Sequence, residues 1–183
     1  MVARDTSASW SVQDHDHAPF YARGRVSMMG DAAHASMPFA GNGAAQAIED
    51  AAVLNALFAE LSASHLPLRK DLVPELLQAY DEVRRPRSQT VVEIARDFGR
   101  LYGFAIPEYG DDPVKMKSFF GKSAAFTNNA DLAVQNAQAV DVFRRMVADK
   151  APRGGGVSRK DSAEPAEVKQ ESAFEQDRAA VPA

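Results

Sequence analysis

The stretch of residues 30–51, GDAAHASMPFAGNGAAQAIEDA, contains the residue types in this chain that could do chemistry. Asp31 follows a short apolar run, and a carboxylate at the end of a strand can accept hydrogen bonds from hydroxyl groups. Gly41 and Gly43 let the backbone approach a flat ligand closely and adopt positive φ. The alanine-rich helix predicted behind them presents free N–H groups and the positive end of its dipole. This pattern predicts a ligand that carries several hydroxyls and develops negative charge at its other end.

Two nucleotide-binding motifs do not fit this stretch. Residues 41–46 have the first two glycines of G-x-G-x-x-G, but Gln46 occupies the position of the third. The segment also follows a loop that contains Pro38, whereas the motif requires a strand directly before it. A phosphate-binding loop needs Gly-Lys-Ser/Thr, which does not occur here.

Two further catalytic or metal-binding interpretations are rejected. Asp31, His34 and Ser36 are the residue types of a hydrolase triad, but the chain has no G-x-S-x-G nucleophile elbow. We therefore interpret His34 as a structural residue. The alternating Asp and His of residues 14–17 lie in one loop, where such ligands rarely complete a site by themselves, so no metal is expected.

The three arginines of residues 84–87 could form an anion site. Arg84, Arg85 and Arg87 surround a proline in a predicted helix, next to the acidic side chains of Asp81 and Glu82. Exposed arginines at such spacing commonly pair with carboxylates of their own helix. We interpret them as a solvated face with ion pairs.

The elements around the candidate stretch are predicted to be one short strand and several helices. Residues 25–29 form a short, largely apolar run that favours a buried strand. Over residues 44–61, apolar side chains recur every three or four positions, which predicts a helix with a broad apolar face. Similar spacing predicts a second helix from about Asp71 to Tyr102, with a kink within 84–87 because Pro86 lacks an N–H and crowds the preceding turn. A short helix is predicted within 111–126 and another within 130–150.

The amino-acid composition is that of a globular protein and argues against nucleic-acid-binding, membrane-spanning and disulfide-rich proteins. The chain has 183 residues, of which 45% are hydrophobic and 25% charged, which are values of globular proteins. Its net charge of -4 gives no basic face for nucleic acid. No apolar run approaches the roughly 20 residues that span a bilayer, and there is no cysteine for a disulfide framework. We expect a cytoplasmic protein without a nucleic-acid or membrane partner.

The candidate stretch resembles the second FAD motif of flavin-dependent aromatic monooxygenases. The resemblance rests on RVSMMGDAAH at 25–34, PFAGNG at 38–43 and EDA at 49–51, in this order and at the family's spacing. DHDHAP at 14–19 and YDEVRRPR at 80–87 also fit. The likeness is strongest to the salicylate-hydroxylase-like branch, in particular its fungal members.

The resemblance implies a fold and a division of the chain. The full family has an α/β, Rossmann-like FAD/NAD(P)-binding fold, of which this chain would be mostly α with one or two short strands. Residues 1–110 would be the C-terminal part of the FAD-binding domain, and 111–150 would be C-terminal helices. Residues 151–183 contain three consecutive glycines and few large apolar side chains, so they are predicted to be a disordered tail.

The resemblance also implies the cofactor-binding residues, which are Gly30, Asp31, Pro38, Gly41, Asn42 and Gly43. The aspartate would accept hydrogen bonds from the ribityl chain, which passes close to the first glycine, and the proline would lie beside the isoalloxazine ring. Residues 41–43 would direct backbone N–H groups at the pyrimidine edge of the flavin, where they stabilise the negative charge of its reduced form. No catalytic side chain is implied.

The chemistry of the family implies FAD and NAD(P)H as cofactors. NAD(P)H reduces the flavin, and molecular oxygen is then used to hydroxylate a small aromatic substrate. The protein's share of this chemistry is to orient the reactants and exclude water.

The family's first FAD motif, a G-x-G-x-x-G in a strand–helix unit, does not occur in the 183 residues. We therefore expect a fragment, a truncated gene product or one half of a split protein, with a missing N-terminal half as a partner. The alternative is a non-catalytic helical remnant or interaction module that does not bind FAD alone. A yellow colour of the purified protein would favour the first interpretation.

Overall fold

The computed structural model describes residues 11–64 and 69–150. The elements are two strands, β1 (Ala22–Arg23) and β2 (Val26–Ser27), and five helices, α1 (Asp31–His34), α2 (Gly43–Ser64), α3 (Val73–Tyr102), α4 (Pro113–Asn128) and α5 (Leu132–Lys150). Single 3-10 turns at Pro38–Ala40 and Lys70–Leu72 precede α2 and α3. The expectation of a mostly helical chain with one or two short strands is confirmed. The tail predicted for 151–183 lies outside the described residues.

The two strands form an antiparallel hairpin. Ala22 lies opposite Ser27 and Arg23 opposite Val26, and Gly24 in the turn has a φ of 60°. Val26 is 72% exposed. The prediction of a buried strand over 25–29 is therefore wrong, because an apolar run is buried only where a second layer covers it, and the described residues provide none over this side chain.

Helix α2 packs along one narrow line. Val53, Leu57 and Leu61 are fully buried, whereas Ile48 is 65% and Phe58 42% exposed. The predicted helix is confirmed, but the broad apolar face is wrong. Toward its N-terminus the buried positions of α2 are polar, and the small alanines beside them face outward.

The hydrophobic core contains side chains of α2, α3 and α5. Tyr80 of α3 and Phe143 of α5 are buried within it. Two tyrosine hydroxyls connect the hairpin region to α3: Tyr80 donates to the carbonyl of Met28 at 3.1 Å, and the Tyr21 hydroxyl lies 2.7 Å from that of Ser88. The chain that enters the candidate stretch is thereby anchored on α3.

Helix α3 is 30 residues long and continues through Pro86. Its C-terminal end contributes to an aromatic cluster of Phe39, Phe98, Tyr102, Tyr109, Phe119 and Phe120. Gly99 lies beneath one of these rings, because a Cβ there would be 2.7 Å from two ring carbons of Phe39. Within the described ranges, no helix is both long and apolar enough to cross a membrane.

Helices α4 and α5 begin at aspartate caps. The carboxylate of Asp112 accepts from the N–H groups of Val114 and Lys115 at 2.9 and 3.2 Å. Asp131 accepts from the N–H groups two and three residues later at 2.9 and 3.1 Å. An acidic N-cap satisfies helix donors that otherwise have no partner. Both helices lie where the spacing of apolar residues predicted them.

Candidate functional site

All six residues predicted to bind a cofactor lie on one connection, residues 30–43, which we call the 30–43 loop. It contains α1, an extended segment and the turn Pro38–Ala40, and it leads directly into α2. The structure therefore places these residues beside the N-terminus of a long helix.

Gly30 begins the loop in a conformation that requires glycine. Its φ is 58° and its ψ is -144°, and a Cβ there would lie 3.4 Å from the Cβ of Ala47. Its N–H donates to Oδ2 of Asp50 at 2.9 Å, and its carbonyl accepts from the N–H of His34 at 3.0 Å. The backbone thus changes direction here and is fixed on both sides.

Asp31 is the first residue of α1, and the expectation that it ends a strand is wrong. The strand stops at Ser27, and the positive φ of Gly30 turns the chain before the aspartate. The Asp31 side chain is exposed, and within residues 11–64 and 69–150 no group donates a hydrogen bond to its carboxylate. This carboxylate is available to accept hydrogen bonds from a ligand.

His15 holds the backbone of α1 from outside. Its Nε2 lies 3.0 Å from the carbonyl oxygen of Asp31 and 3.2 Å from the N of Ala35, and its Nδ1 lies 3.0 Å from the carbonyl of Asp16. The carbonyls of Asp16 and Asp31 raise the pKa of His15 because they accept hydrogen bonds from its ring. The histidine contacts the main chain of Asp31 and leaves its carboxylate open.

The turn Pro38–Ala40 ends at Gly41, which is left-handed with a φ of 63° and a ψ of 21°. The Gly41 N–H donates to the carbonyl of Pro38 at 3.0 Å. Apart from its chain neighbours, no atom of the described residues lies within 4 Å of a Cβ placed on Gly41, and Pro38 and Phe39 are exposed. One face of this turn is therefore open to a flat molecule.

The start of α2 favours negative charge. The first bond of the helix runs from the N–H of Gln46 to the carbonyl of Asn42 at 3.1 Å, so the N–H groups of residues 43–45 have no acceptor within the helix. No acidic side chain lies in the first turn. Free N–H groups and the positive end of the helix dipole together stabilise an anionic group.

A buried polar network lies directly behind the loop. At its centre is Arg84, whose side chain is 0% exposed. Its Nε donates to Oδ1 of Asp50 at 2.8 Å, and its Nη1 donates to Oε2 of Glu49 at 2.5 Å and to Oε1 of Gln135 at 2.8 Å. Its Nη2 donates to the carbonyl and to Oε1 of Gln46 at 3.1 and 2.9 Å. All of the donor groups of the guanidinium have acceptors.

The prediction of a solvated face for the three arginines is wrong for Arg84 and Arg87. Arg87 forms a fork with Glu49, at 2.7 Å from Nε to Oε2 and 2.8 Å from Nη2 to Oε1, and its side chain is 16% exposed. Only Arg85 follows the expectation, since it pairs with Asp81 of its own helix at 2.7 Å. The difference arises because the face of α3 that carries Arg84 and Arg87 packs against Glu49 and Asp50 in the second turn of α2.

The two carboxylates of the network are stabilised in their charged form. Burial by itself raises the pKa of Asp50, but hydrogen bonds from His34 and the Gly30 N–H, together with Arg84, lower it below its ordinary value. Burial likewise opposes ionisation of Glu49, and the hydrogen bond from Arg87 and the charge of Arg84 lower its pKa overall. Two arginines thus balance two carboxylates in the interior.

His34 lies in this network and not at the surface. It is 3% exposed, and its Nε2 lies 2.7 Å from Oδ2 of Asp50. This arrangement supports its interpretation as a structural residue. Two of the Asp and His residues of 14–17 pair with α3: Asp14 with Arg96 at 2.5 Å and His17 with Glu93 at 3.0 Å. Among the described residues, no group of His, Asp and Glu could hold a metal ion.

The network is not predicted from the sequence, although most of its members lie within the motifs described above. Gln46 is notable there only as the residue in place of a third glycine. The signal that could have revealed the network is the spacing of Gln46, Glu49 and Asp50, which continues the buried line of Val53 and Leu57 toward the helix start. Polar residues on a buried line require buried partners.

The chain matches proteins of known activity. Residues 5–95 match the family described as FAD binding domain. A 6-methylsalicylate 1-monooxygenase of Aspergillus terreus is 41% identical over 138 residues, which cover 75% of this chain and 30% of that protein. A salicylate hydroxylase of Pseudomonas putida is 41% identical over 101 residues, which cover 55% of this chain and 22% of that enzyme. The solved structure of a salicylate hydroxylase substrate complex superposes with a TM-score of 0.64 at 36% identity, over 72% of this chain and 31% of that one.

These matches confirm the predicted resemblance, its α/β FAD/NAD(P)-binding fold and FAD as the cofactor of the family. The chain spans less than a third of the length of each of these three relatives. The roles of the six loop residues and the domain boundaries at 110 and 150 stay predictions.

Proposed function

We propose that this chain, a relative of the FAD-dependent aromatic monooxygenases of the salicylate-hydroxylase type, contributes the ribityl- and flavin-facing part of an FAD site. The whole enzyme would hydroxylate a small aromatic compound, with NAD(P)H as electron donor and molecular oxygen as the second substrate. The observation that carries the proposal is the exposed carboxylate of Asp31 on the same loop as the exposed turn at Gly41, next to the N–H groups of residues 43–45, which have no acceptor within α2.

The residues present fit the ribityl and flavin end of FAD. A polyol requires acceptors without a protein partner, and within the described residues no group donates to the Asp31 carboxylate. A flat ring requires backbone without side-chain obstruction, which the turn at Gly41 provides. The N–H groups of residues 43–45 would stabilise negative charge at the pyrimidine edge. Bound FAD would supply the electron transfer and the activation of oxygen that no side chain can supply.

The names of the relatives support a small aromatic acid as substrate class. One acts on 6-methylsalicylate and another on salicylate. Both compounds have a carboxylate and a hydroxyl on one ring. We extend this class to the present protein, together with a remaining part of the enzyme that completes the FAD site.

The remaining part is required because FAD is long. The adenosine and pyrophosphate ends need their own helix N-terminus, which the first FAD motif supplies in the family. A half-site must also be ordered on binding, and this ordering subtracts from the affinity. We therefore propose that the chain alone binds FAD weakly, and that a complementary part restores tight binding.

Quenching of flavin fluorescence tests this proposal. FAD is titrated with the chain alone, with the portion of the Pseudomonas putida salicylate hydroxylase that this chain does not match, and with both together. Binding that is much tighter for the mixture than for either component is the expected result. Tight binding by the chain alone would contradict the half-site. Absence of binding in every mixture, including portions from fungal relatives, would favour the non-catalytic remnant or interaction module.

A further inference from the structure

Arg84 connects the two ends of the 30–43 loop although it contacts neither end directly. It lies in the middle of α3 and is fully buried. We propose that Arg84 is a positioning residue for this loop, a role that rests on the proposed function of the loop in holding FAD. The guanidinium would act through two side chains of α2, one for each end of the loop.

The first connection leads through Asp50 to the beginning of the loop. Oδ1 of Asp50 accepts from Nε of Arg84, and Oδ2 accepts from the N–H of Gly30 at 2.9 Å. His34 lies 2.7 Å from the same Oδ2, so this oxygen holds both the entry to α1 and its last residue. Asp31 lies between these two anchors. The position of its backbone is therefore tied to the orientation of the Asp50 carboxylate.

The second connection leads through Gln46 to the end of the loop. Nη2 of Arg84 donates to Oε1 of Gln46 at 2.9 Å, which determines the orientation of the amide. The Nε2 of that amide then donates to Oδ1 of Asn42 at 3.0 Å and to Oε1 of Glu49 at 3.0 Å. Asn42 lies between the two glycines of the loop. Its side chain is thus fixed by a residue that Arg84 orients.

Only arginine can make both connections at once. The guanidinium is planar and has donors in fixed directions, and here they reach acceptors on α2 and on Gln135 of α5. A lysine ammonium presents its donors from a single nitrogen. It could pair with Asp50 or with Gln46, but it could not hold both in their present orientations. Substitution by lysine therefore keeps the charge and removes the coupling.

Amide hydrogen exchange by NMR, on the full chain without flavin, measures this coupling. The backbone N–H of Gly30 reports one end of the loop, and the side-chain amide of Gln46 reports the other. The backbone N–H groups of Leu57 and Ile94, both fully buried, report the core. The Arg84→Lys variant should speed exchange about tenfold at one or both loop reporters relative to the core reporters, as expected for one lost buried hydrogen bond.

Arg85→Lys is the matched control. Arg85 pairs with Asp81 on α3 itself and is not part of the network that contacts α2. This variant should leave both loop reporters unchanged. Equal acceleration at the loop and core reporters in Arg84→Lys would mean a general loss of stability and would overturn the proposal, as would no acceleration at all.

A second variant keeps the proposal testable if Arg84→Lys does not fold. Gln46→Leu removes one connection and leaves the pairing of Arg84 with Asp50. The backbone N–H of residue 46 donates to the carbonyl of Asn42 at 3.1 Å, and its exchange should then become faster while Gly30 stays protected. Unchanged exchange at residue 46, or equal loss at both ends, would contradict the two separate connections.

FAD affinity in the reconstituted mixture separates this inference from the proposed function. Arg84→Lys should weaken FAD binding about tenfold, and Arg85→Lys should not. Faster exchange with unchanged FAD affinity would overturn the positioning role. If the unaltered chain binds no FAD in any mixture, the proposed function fails and the positioning of FAD fails with it, whereas the exchange results still decide whether Arg84 couples the loop ends.

Discussion

The backbone N–H of Gly30 donates to the carboxylate of Asp50, 20 residues later, at 2.9 Å. The carboxylate is completely buried and also pairs with Arg84. We predict that Asp50→Asn lowers the free energy of unfolding by about 3–5 kcal/mol, because it leaves a buried arginine with insufficient negative charge. Urea denaturation monitored by circular dichroism measures this change.

Asp141→Asn is the control for that substitution. Asp141 is 69% exposed and lies 3.7 Å from Arg144. Its replacement should change the free energy of unfolding by less than about 0.5 kcal/mol. Similar losses of unfolding free energy for the two variants would show that burial does not determine how much the Asp50–Arg84 pair contributes to stability.

Gly99→Ala should destabilise the protein although it replaces glycine in a helix. Alanine at an open helix position is more stable than glycine by roughly 0.5–1 kcal/mol. At Gly99 the new Cβ would lie 2.7 Å from two carbons of the Phe39 ring, so the ring must move and lose its present packing. Gly121→Ala in α4 should stabilise instead, because outside its own helix backbone no atom of the described residues lies within 4 Å of a Cβ placed there. Thermal unfolding of both variants measures these changes. A rise of Tm for Gly99→Ala as well as for Gly121→Ala would contradict the predicted clash with the Phe39 ring.

Asp31→Ala should weaken FAD binding in the reconstituted mixture by about 1–3 kcal/mol, because ribityl hydroxyls would lose their acceptor in a closed site. The stability of the chain should not change, since no described group donates to this carboxylate. Asp111→Ala, another exposed aspartate, should affect neither property. Retention of flavin equal to that of the unaltered mixture, measured by equilibrium dialysis, would remove Asp31 from the site.

Acid should destabilise the chain through Glu49 and Asp50. The folded-state pKa of each lies below its ordinary value of 4.5 or 3.8. Between the two pKa values of each group the unfolded state binds more protons, so the free energy of unfolding falls as the pH falls. The contribution is complete above about pH 4.5 and is lost below it.

Urea denaturation at several pH values between about 6 and 3 measures this loss. The Glu49→Gln variant has no ionisable group at this position, so protonation there cannot lower its free energy of unfolding. Its stability should therefore decline less steeply as the pH falls. An equal slope for the variant and the unaltered chain would show that Glu49 does not contribute to the acid sensitivity.

Local patterns in the sequence predicted the structural features that depend on residues close together in the chain, namely the starts of helices and the glycine-containing loop. The helices after Asp112 and Asp131 follow from capping and from the spacing of apolar residues. The loop with Gly41 and Gly43 follows from the conformational freedom of glycine. The strand predicted over 25–29 is longer than β2, because an apolar composition alone does not bury a strand without a covering layer, which the described residues do not contain here.

The burial of Arg84 could not be read from its surroundings in sequence. The run from Arg84 to Arg87 has the composition of an exposed helix face, and the partners that bury it lie 34 to 51 positions away. Burial of a charged side chain is decided by such distant acceptors and not by local propensity. The polar residues on the buried line of α2 were the available signal.

The buried guanidinium limits how this loop could be moved to another protein. A graft of residues 30–51 alone would carry Asp50 and Gln46 into the new scaffold without the cation that orients them. The smallest transferable unit includes the middle of α3 and the first turn of α5, which contains Gln135, in addition to the loop and α2. An engineer who wishes to alter the loop while keeping its shape should therefore vary its outward side chains and leave the inward ones on α2 unchanged.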